Sequence, residues 1–359
     1  MMPKQDRQSA TTGSPALASE DGGALARYRL IGSTASPYAL KLRALLRYRR
    51  LPVDWVIMTK ALRRATAHVQ PNMIPILQFP EDGSYHADTS ILANELERRH
   101  PNGRSVIPPQ PGPRFLCDLL EDMADEMAVK CLFLYRWWAP EDQAYVSRWA
   151  AEEWSTSAAA TGSAEEIAEF RARQVGRMTI LGATAENKPL LEALYLRILT
   201  AFEPHVGLGK FLFGTRPSLA DFAWYGQLAQ MACDPTPMRI MRERAPFTDI
   251  WARRLDDASG VEGDWDMPQR GVGPWVRDLL QLAGDFYLPF LRANAAAYDA
   301  GRARLELQAL GHTYVLQPFK YQVKCLRQLE TRFRALSVGD ITPIEPALRQ
   351  TGCWQALAG

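Results

Sequence analysis

Hydrophobic and polar residues alternate near the start of the chain, and the pattern there predicts a strand, a helix and a second strand. Residues 26–31 alternate as a half-buried strand does, and residues 53–57 read as a second strand. Between them, Pro37 suits the first turn of a helix, where its missing N–H costs nothing, and leucines follow at helical spacing. We expect the two strands to be parallel, joined by a right-handed crossover.

A second group of elements is predicted before residue 100. Residues 70–79 read as an apolar strand that begins with proline, and a short strand-like stretch follows a turn. Residues 88–90 offer side-chain oxygens that can cap a helix predicted over 91–99. Proline and glycine are then frequent, which predicts an interdomain linker at residues 105–113.

The chain beyond this linker is predicted to be helical as far as residue 265. Apolar residues recur three and four positions apart, which is the spacing of one helix face. The sequence Ser218-Leu219-Ala220-Asp221 is a capping signature, in which the serine oxygen meets an orphan N–H and the carboxylate sits at the positive helix end. After a first long helix that starts near Leu116, we predict helices over 141–155, 164–182, 188–205 and 218–232.

The two ends of the chain have different characters. Residues 1–26 are rich in small and polar residues without periodicity, which predicts a disordered tail. Residues 266–359 carry enough apolar residues to fold. In this C-terminal extension we predict helices over 275–283, 286–300 and 321–336, with a hairpin around Gly311-His312.

Composition and charge exclude several classes of protein. The 359 residues are 47% hydrophobic and 23% charged with a net charge of +2, which argues against a disordered chain and a nucleic-acid binder. The longest apolar run is broken by Arg136, so we expect no membrane span. With no secretory signal and five scattered cysteines lacking a CxxC pair, we expect a cytoplasmic protein without a zinc site. The five histidines form no metal-binding pattern either.

Four short motifs occur in a fixed order along the chain. Ser36-Pro37-Tyr38 follows the first strand, Ile74-Pro75 precedes the third, and Asp88-Thr89 precedes a helix, while the capping signature at 218–221 lies far downstream. With the proline-rich linker between them, these motifs resemble the glutathione S-transferase superfamily, in its serine type. The resemblance covers about residues 27–265.

This resemblance implies an α+β fold class and a division of the chain. A thioredoxin-like βαβ-ββα domain would span residues 27–104 and bind glutathione. An all-α domain would span residues 114–265. The mixed α/β extension at 266–359 has no counterpart that we recognise, and a possible homodimer would fit the family, although the extension could alter or block its usual interface.

The resemblance gives Ser36 the catalytic role. At the start of the first helix, its hydroxyl could donate to the glutathione sulfur and stabilise the thiolate, without acting as a nucleophile. Ser33 and Thr34 are competing donors in the same turn, and the Tyr38 hydroxyl could serve too. The alternative is that Ser36 merely caps its helix.

The same resemblance names the residues that would hold glutathione. If Pro75 is cis, the main chain of Ile74 is free to pair with the peptide. Asp88 could pair with the γ-glutamyl ammonium, while Thr89 takes the carboxylate. An ordinary trans proline and simple helix capping are the alternatives. The family often has lysine or glutamine near 59–73 for the glycyl carboxylate, and here that contact is in doubt because the nearby residues are Gln70 and Met73.

An acceptor pocket is expected between the domains, along the first long helix of the second. Met123, Met127 and Tyr135 are the predicted substrate-binding residues, and packing in the core is the alternative for each. Further candidates are Trp137, Trp138 and Tyr225.

The sequence thus predicts a glutathione-dependent transferase that acts on a small-molecule electrophile by conjugation, ether or halide displacement, or isomerisation. One rival is a non-catalytic binding or interaction protein with the extension as its partner surface. Another is a relic of a thiol–disulfide oxidoreductase, which is disfavoured because Ser36 stands where that chemistry needs a thiolate.

Overall fold

The computed structural model describes residues 27–101, 103–154, 163–266 and 271–358. The predicted tail at 1–26 lies outside the described residues. None of the helices in the described ranges combines the length and the apolar character needed to cross a membrane.

The N-terminal part folds around a mixed four-stranded sheet in the order β2-β1-β3-β4. Strands β1 and β2 are parallel, as the crossover predicts, and the other two pairs are antiparallel. Three helices accompany the sheet, and the thioredoxin-like pattern is confirmed. The bounds are β1 Tyr28–Gly32, α1 Pro37–Tyr48, β2 Val53–Ile57, α2 Lys60–Ala65, β3 Ile76–Gln78, β4 Tyr85–His86 and α3 Thr89–Arg99.

One strand is much shorter than its pattern predicts. The apolar stretch over 70–79 forms β3 at Ile76–Gln78 alone. Both Gln70–Pro71 and Ile74–Pro75 are cis peptide bonds, and proline has no N–H to donate to a strand ladder. Regular pairing therefore begins after Pro75.

The second part is helical, as predicted, and its first long helix contains a π-helical turn. Helix α4 begins at Pro111, within the stretch predicted as a linker, because proline fits the first turn. The helix predicted over 164–182 ends at Gly176, and the turns that follow include Gly182 with a φ of +76°. The bounds are α4 Pro111–Met123, the π-helical turn Ala124–Ala128, α5 Val129–Trp138, α6 Pro140–Trp154, α7 Ala164–Gly176, α8 Lys188–Phe202, α9 Leu219–Met231, α10 Pro235–Arg244 and α11 Pro246–Leu255.

Helix α9 lies at the centre of this part. Its predicted capping box is present, with the Ser218 Oγ accepting from the Asp221 N–H and the Asp221 carboxylate accepting from the Ser218 N–H. Almost every residue of the helix is buried, and it packs on both α1 and α4. Helices α10 and α11 were not predicted, although each carries a proline in its first turn.

The C-terminal extension folds against α4 and shares one hydrophobic core with the rest. The rings of Phe115 on α4 and Phe333 on α14 lie 5.3 Å apart. The predicted hairpin and three helices are present, and the mixed α/β character is confirmed, whereas the division into domains stays a prediction. The bounds are α12 Pro274–Leu282, a second π-helical turn Ala283–Tyr287, α13 Leu288–Asp299, β5 Leu305–Ala309, β6 His312–Leu316, α14 Lys320–Arg334, α15 Val338–Ile341, α16 Glu345–Gln350 and α17 Cys353–Ala358.

Carboxylates on one side of α4 and its π-helical turn contact the extension. Arg332 lies 3.0 Å from the Asp118 carboxylate, and the Tyr287 hydroxyl donates to Asp122 over 2.5 Å. One turn further on, the Gln322 amide donates to Glu126 over 3.4 Å. The three carboxylates, Asp118, Asp122 and Glu126, are spaced four apart, so they form a single row.

A second row of carboxylates on the same helix faces the thioredoxin-like part. Glu121 and Asp125 both accept from the Lys41 ammonium, over 2.5 and 2.7 Å. The Ser90 hydroxyl, just inside α3, also donates to Glu121. Lys41 is 1% exposed. Burial opposes its charge, but the carboxylates of Asp125 and Glu121 outweigh that effect and raise the pKa of Lys41.

The row that faces the extension predicts a pH-dependent stability. Burial raises the pKa of Asp118 and of Asp122 to about 6 each. The folded chain then binds these protons more tightly than the unfolded chain, so the free energy of unfolding falls as the pH rises from about 4 to about 7. Asp122→Asn keeps an acceptor for the Tyr287 hydroxyl but removes one titration. In this variant, denaturant unfolding should show that the free energy of unfolding falls over the same pH range by about 1–3 kcal/mol less than in wild type.

The control for this experiment is Asp299→Asn, which removes an exposed carboxylate at the end of α13 that contacts Arg327. The free energy of unfolding of this variant should fall with rising pH as steeply as that of wild type. An Asp122→Asn curve that is parallel to the wild-type curve would show that Asp122 has no raised pKa.

Candidate active site

The sheet brings three of the sequence motifs to one edge. Ile31 pairs with Ile76 across β1 and β3, and Leu77 pairs with His86 across β3 and β4. Continued by one or two residues, the same register sets Pro75 between Gly32 and Asp88. The turn that carries Ser36 therefore meets the two other motifs at the end of β1.

Ser36 caps helix α1. Its Oγ accepts a hydrogen bond from the Ala39 N–H over 3.3 Å, and Pro37 occupies the first turn, as predicted. The side chain is 8% exposed, and its hydroxyl proton has no acceptor among the described residues. Ser36 thus combines capping with an uncommitted O–H at the positive end of a buried helix.

The competing hydroxyls have other partners. Those of Ser33 and Thr34 both donate to the carboxylate of Glu153 on α6. The Tyr38 hydroxyl donates to the main-chain oxygen of Asp125 over 3.0 Å, and burial raises its pKa well above the usual range. Within the described chain, Ser36 is therefore the candidate whose proton is available to a sulfur atom.

Ile74 presents its main chain beside this turn. The peptide bond to Pro75 is cis, and the N–H and C=O of Ile74 have no partner in the described ranges. Pro75 is buried, whereas Ile74 is partly exposed. A free N–H and C=O on one residue can pair with an extended peptide as a strand edge does.

Asp88 caps helix α3 and keeps one carboxylate oxygen free. Its Oδ1 accepts from the N–H groups of Ser90 and Ile91 over 3.2 and 3.3 Å. Its Oδ2 has no partner within the described part of the chain, and an ammonium could bind there. The backbone of Asp88 has a φ of +79°, in the region that favours glycine, so its conformation is strained. Thr89 is 6% exposed, at the start of the helix.

The predicted substrate-binding residues lie in the core. Met123 and Met127 have no exposed surface. Tyr135 is 7% exposed, and its ring lies 5.1 Å from that of Tyr195. The position of Met123 and Met127 fits the alternative of core packing, and the assignment of all three to a pocket stays a prediction. Of the further candidates, Trp138 is exposed and the Tyr225 hydroxyl donates to Asp256.

The structure adds residues that sequence reasoning missed. Glu153 and Trp149 on α6, Arg136 on α5 and Gln230 on α9 all contact the turn between β1 and α1. They lie more than 100 positions from that turn, with no motif to connect them. A groove of about 500 Å³ along α14, which Tyr298 of α13 also lines, contains none of the motif residues.

The comparison with protein families identifies the first part of the chain. Residues 30–105 match the family model described as "Glutathione S-transferase, N-terminal domain". This match confirms, for these residues, the resemblance to glutathione S-transferases found in the sequence. No curated protein matches the chain significantly.

Solved structures of glutathione S-transferases are similar to this chain. One from Methylobacterium radiotolerans, in complex with glutathione sulfonate, is 21% identical, with a TM-score of 0.41 over 67% of this chain and 97% of that one. One from Methylobacillus flagellatus with glutathione bound is 20% identical, with a TM-score of 0.40 over 65% and 96%. A Tau class enzyme from mango, Mangifera indica, is 17% identical, with a TM-score of 0.40 over 66% and 92%.

Asp88 offers a test that separates capping from ligand binding. Asp88→Asn keeps an oxygen for the Ser90 and Ile91 N–H groups and tolerates a positive φ, so stability should change by no more than about 0.5 kcal/mol. The variant loses the charge that would pair with the γ-glutamyl ammonium. We expect calorimetry to show glutathione binding weakened more than tenfold.

Asp82→Asn serves as its control, because Asp82 accepts from Ser84 in the exposed turn between β3 and β4. This control should bind glutathione as the wild type does. An Asp88→Asn affinity within twofold of wild type would remove Asp88 from the site.

Proposed function

We propose that this protein is a glutathione-dependent transferase of the serine type, in which Ser36 stabilises the glutathione thiolate for attack on a small electrophile. The observation that carries the proposal is the uncommitted Ser36 hydroxyl at the start of α1, on the sheet edge where cis-Pro75 and Asp88 also lie. The family of the N-terminal domain supports glutathione as the co-substrate.

The energy required is within reach of this arrangement. A free thiol with a pKa near 8.5 is about 3% thiolate at pH 7. Lowering that pKa by about two units makes most of it thiolate and needs roughly 2.7 kcal/mol. A hydrogen bond from a hydroxyl to an anion supplies about 1.5–3 kcal/mol, and a helix N-terminus adds about 0.3–1 kcal/mol. Ser36 provides both contributions.

The remaining motif residues would bind the tripeptide. In this proposal the main chain of Ile74 pairs with the glutathione backbone, and the free Oδ2 of Asp88 binds the γ-glutamyl ammonium. Thr89, at the start of α3, takes the γ-glutamyl carboxylate. These contacts fix the sulfur beside Ser36, which converts the reaction with the electrophile into one between oriented groups.

The chemical step then needs no further nucleophile. The thiolate sulfur attacks an electrophilic carbon, a C–S bond forms, and a halide or an alkoxide leaves with the bonding electrons. In an isomerisation the sulfur would leave again and restore glutathione. The electrophile pocket, the homodimer and the cytoplasmic location stay predictions.

Ser36→Ala tests the proposal directly. We expect the variant to bind glutathione as wild type, because the contacts at Ile74, Asp88 and Thr89 remain. Turnover of a generic aryl halide should fall at least tenfold, and the pKa of the bound thiol should rise toward 8.5, as followed by thiolate absorbance.

The matched control is Ser337→Ala, which also removes a helix-capping hydroxyl but at α15 in the extension. Ser337→Ala should change the stability of the protein but leave glutathione binding, turnover and the pKa of the bound thiol as in wild type. If Ser36→Ala leaves turnover unchanged, the serine mechanism is wrong. If the wild type binds no glutathione at millimolar concentration, the interaction-protein alternative replaces the transferase.

A further inference from the structure

The turn that carries Ser36 is held from outside by the helical part of the chain. Residues 33–36 join β1 to α1, and the Ser36 N–H donates to the Ser33 main-chain oxygen over 3.1 Å. Helices α5, α6 and α9 each contribute a side chain that bonds to this turn. The conformation of the turn therefore depends on residues far along the sequence.

Glu153 makes the largest number of these contacts. Its carboxylate accepts from the Thr34 N–H over 3.0 and 3.2 Å, and from the hydroxyls of Ser33 and Thr34. Ser33 in turn accepts from the Ala35 N–H over 3.1 Å. The carboxylate of Glu153 thus fixes the Thr34 N–H and the side chains of both Ser33 and Thr34.

Three further side chains form hydrogen bonds with the same turn. The Trp149 indole N–H donates to the Thr34 hydroxyl oxygen over 2.8 Å, and the Gln230 amide donates to the Thr34 main-chain oxygen over 2.8 Å. Arg136 donates to the Ala35 main-chain oxygen over 2.8 Å and is itself paired with the buried carboxylate of Asp234. Every polar group of Thr34 is thereby satisfied.

We propose that Glu153 is a positioning residue for Ser36, one that sets the angle of the Ser36 hydroxyl toward the glutathione sulfur by holding the Ser33–Thr34 turn. This inference rests on the proposed function of Ser36. Within the described residues, Glu153 forms hydrogen bonds with Ser33 and Thr34, and none with Ser36 or the residues assigned to tripeptide binding. Its removal should therefore change thiol activation and leave the binding of glutathione nearly intact.

Glu153 is also the contact that mutagenesis can test cleanly. Removing Arg136 would leave the buried Asp234 carboxylate without its partner, which destabilises a protein strongly. Glu153 lies in the last turn of α6 and is partly exposed, so its loss leaves no buried charge unpaired.

The experiment compares Glu153→Ala and Glu153→Gln in the full-length protein. In Glu153→Ala the turn loses its anchor, so we expect kcat with an aryl halide to fall at least tenfold. The pKa of the bound glutathione thiol should rise by about one unit, while the Kd for glutathione stays within about threefold. Glutamine retains one acceptor oxygen, so Glu153→Gln should lie between Glu153→Ala and wild type.

The direction of the pKa change separates positioning from simple charge. A carboxylate near a thiolate disfavours it, so a purely electrostatic effect would lower the thiol pKa when Glu153 is removed. Glu152→Gln is the matched control, because Glu152 is the neighbouring exposed carboxylate on α6 and changes the net charge identically. It should behave as wild type in kcat, thiol pKa and Kd.

Each outcome has one meaning. An unchanged or lowered thiol pKa in both Glu153 variants overturns the positioning role, while the function of Ser36 still stands if Ser36→Ala is impaired. A parallel loss of glutathione affinity would show that Glu153 acts on the whole site and would also overturn it. A wild-type protein that binds glutathione without lowering its thiol pKa contradicts the role of Ser36 and, with it, that of Glu153.

Discussion

A buried ion pair joins the thioredoxin-like part of this protein to its helical part. The Lys41 ammonium on α1 lies between the carboxylates of Glu121 and Asp125 on α4 and its π-helical turn. Loss of Lys41 would leave both carboxylates buried without a cation, at a cost of about 3–5 kcal/mol. This contact therefore fixes α1, and with it the Ser36 turn, against α4.

The same helix connects the candidate site to the C-terminal extension. Its second carboxylate row, at Asp118, Asp122 and Glu126, is contacted by side chains of α14 and the second π-helical turn. Within the helical part, α4 and its π-helical turn thus contact both the thioredoxin-like part and the C-terminal extension.

The local elements of this fold follow closely from the sequence, because their signals are local. Proline in the first turn of α1 and the capping box of α9 act within four residues, and both are present as predicted. The strand over 70–79 was predicted too long because an apolar run indicates burial but does not show where main-chain pairing begins. That point is set by Pro75, which cannot donate to the ladder.

The sequence by itself determined the motifs of the candidate site, since Ser36, Ile74-Pro75 and Asp88-Thr89 are short runs whose chemistry is visible in one dimension. The tertiary structure alone decided which hydroxyl is uncommitted, because the partners of Ser33, Thr34 and Tyr38 come from α6 and the π-helical turn. It also decided the role of the acidic residues after Leu116. Within each of the two rows, a spacing of four predicts a shared helix face. Their partners on α1, α3 and α14 lie up to about 200 positions away, and pairing over such distances leaves no periodic trace in a single sequence.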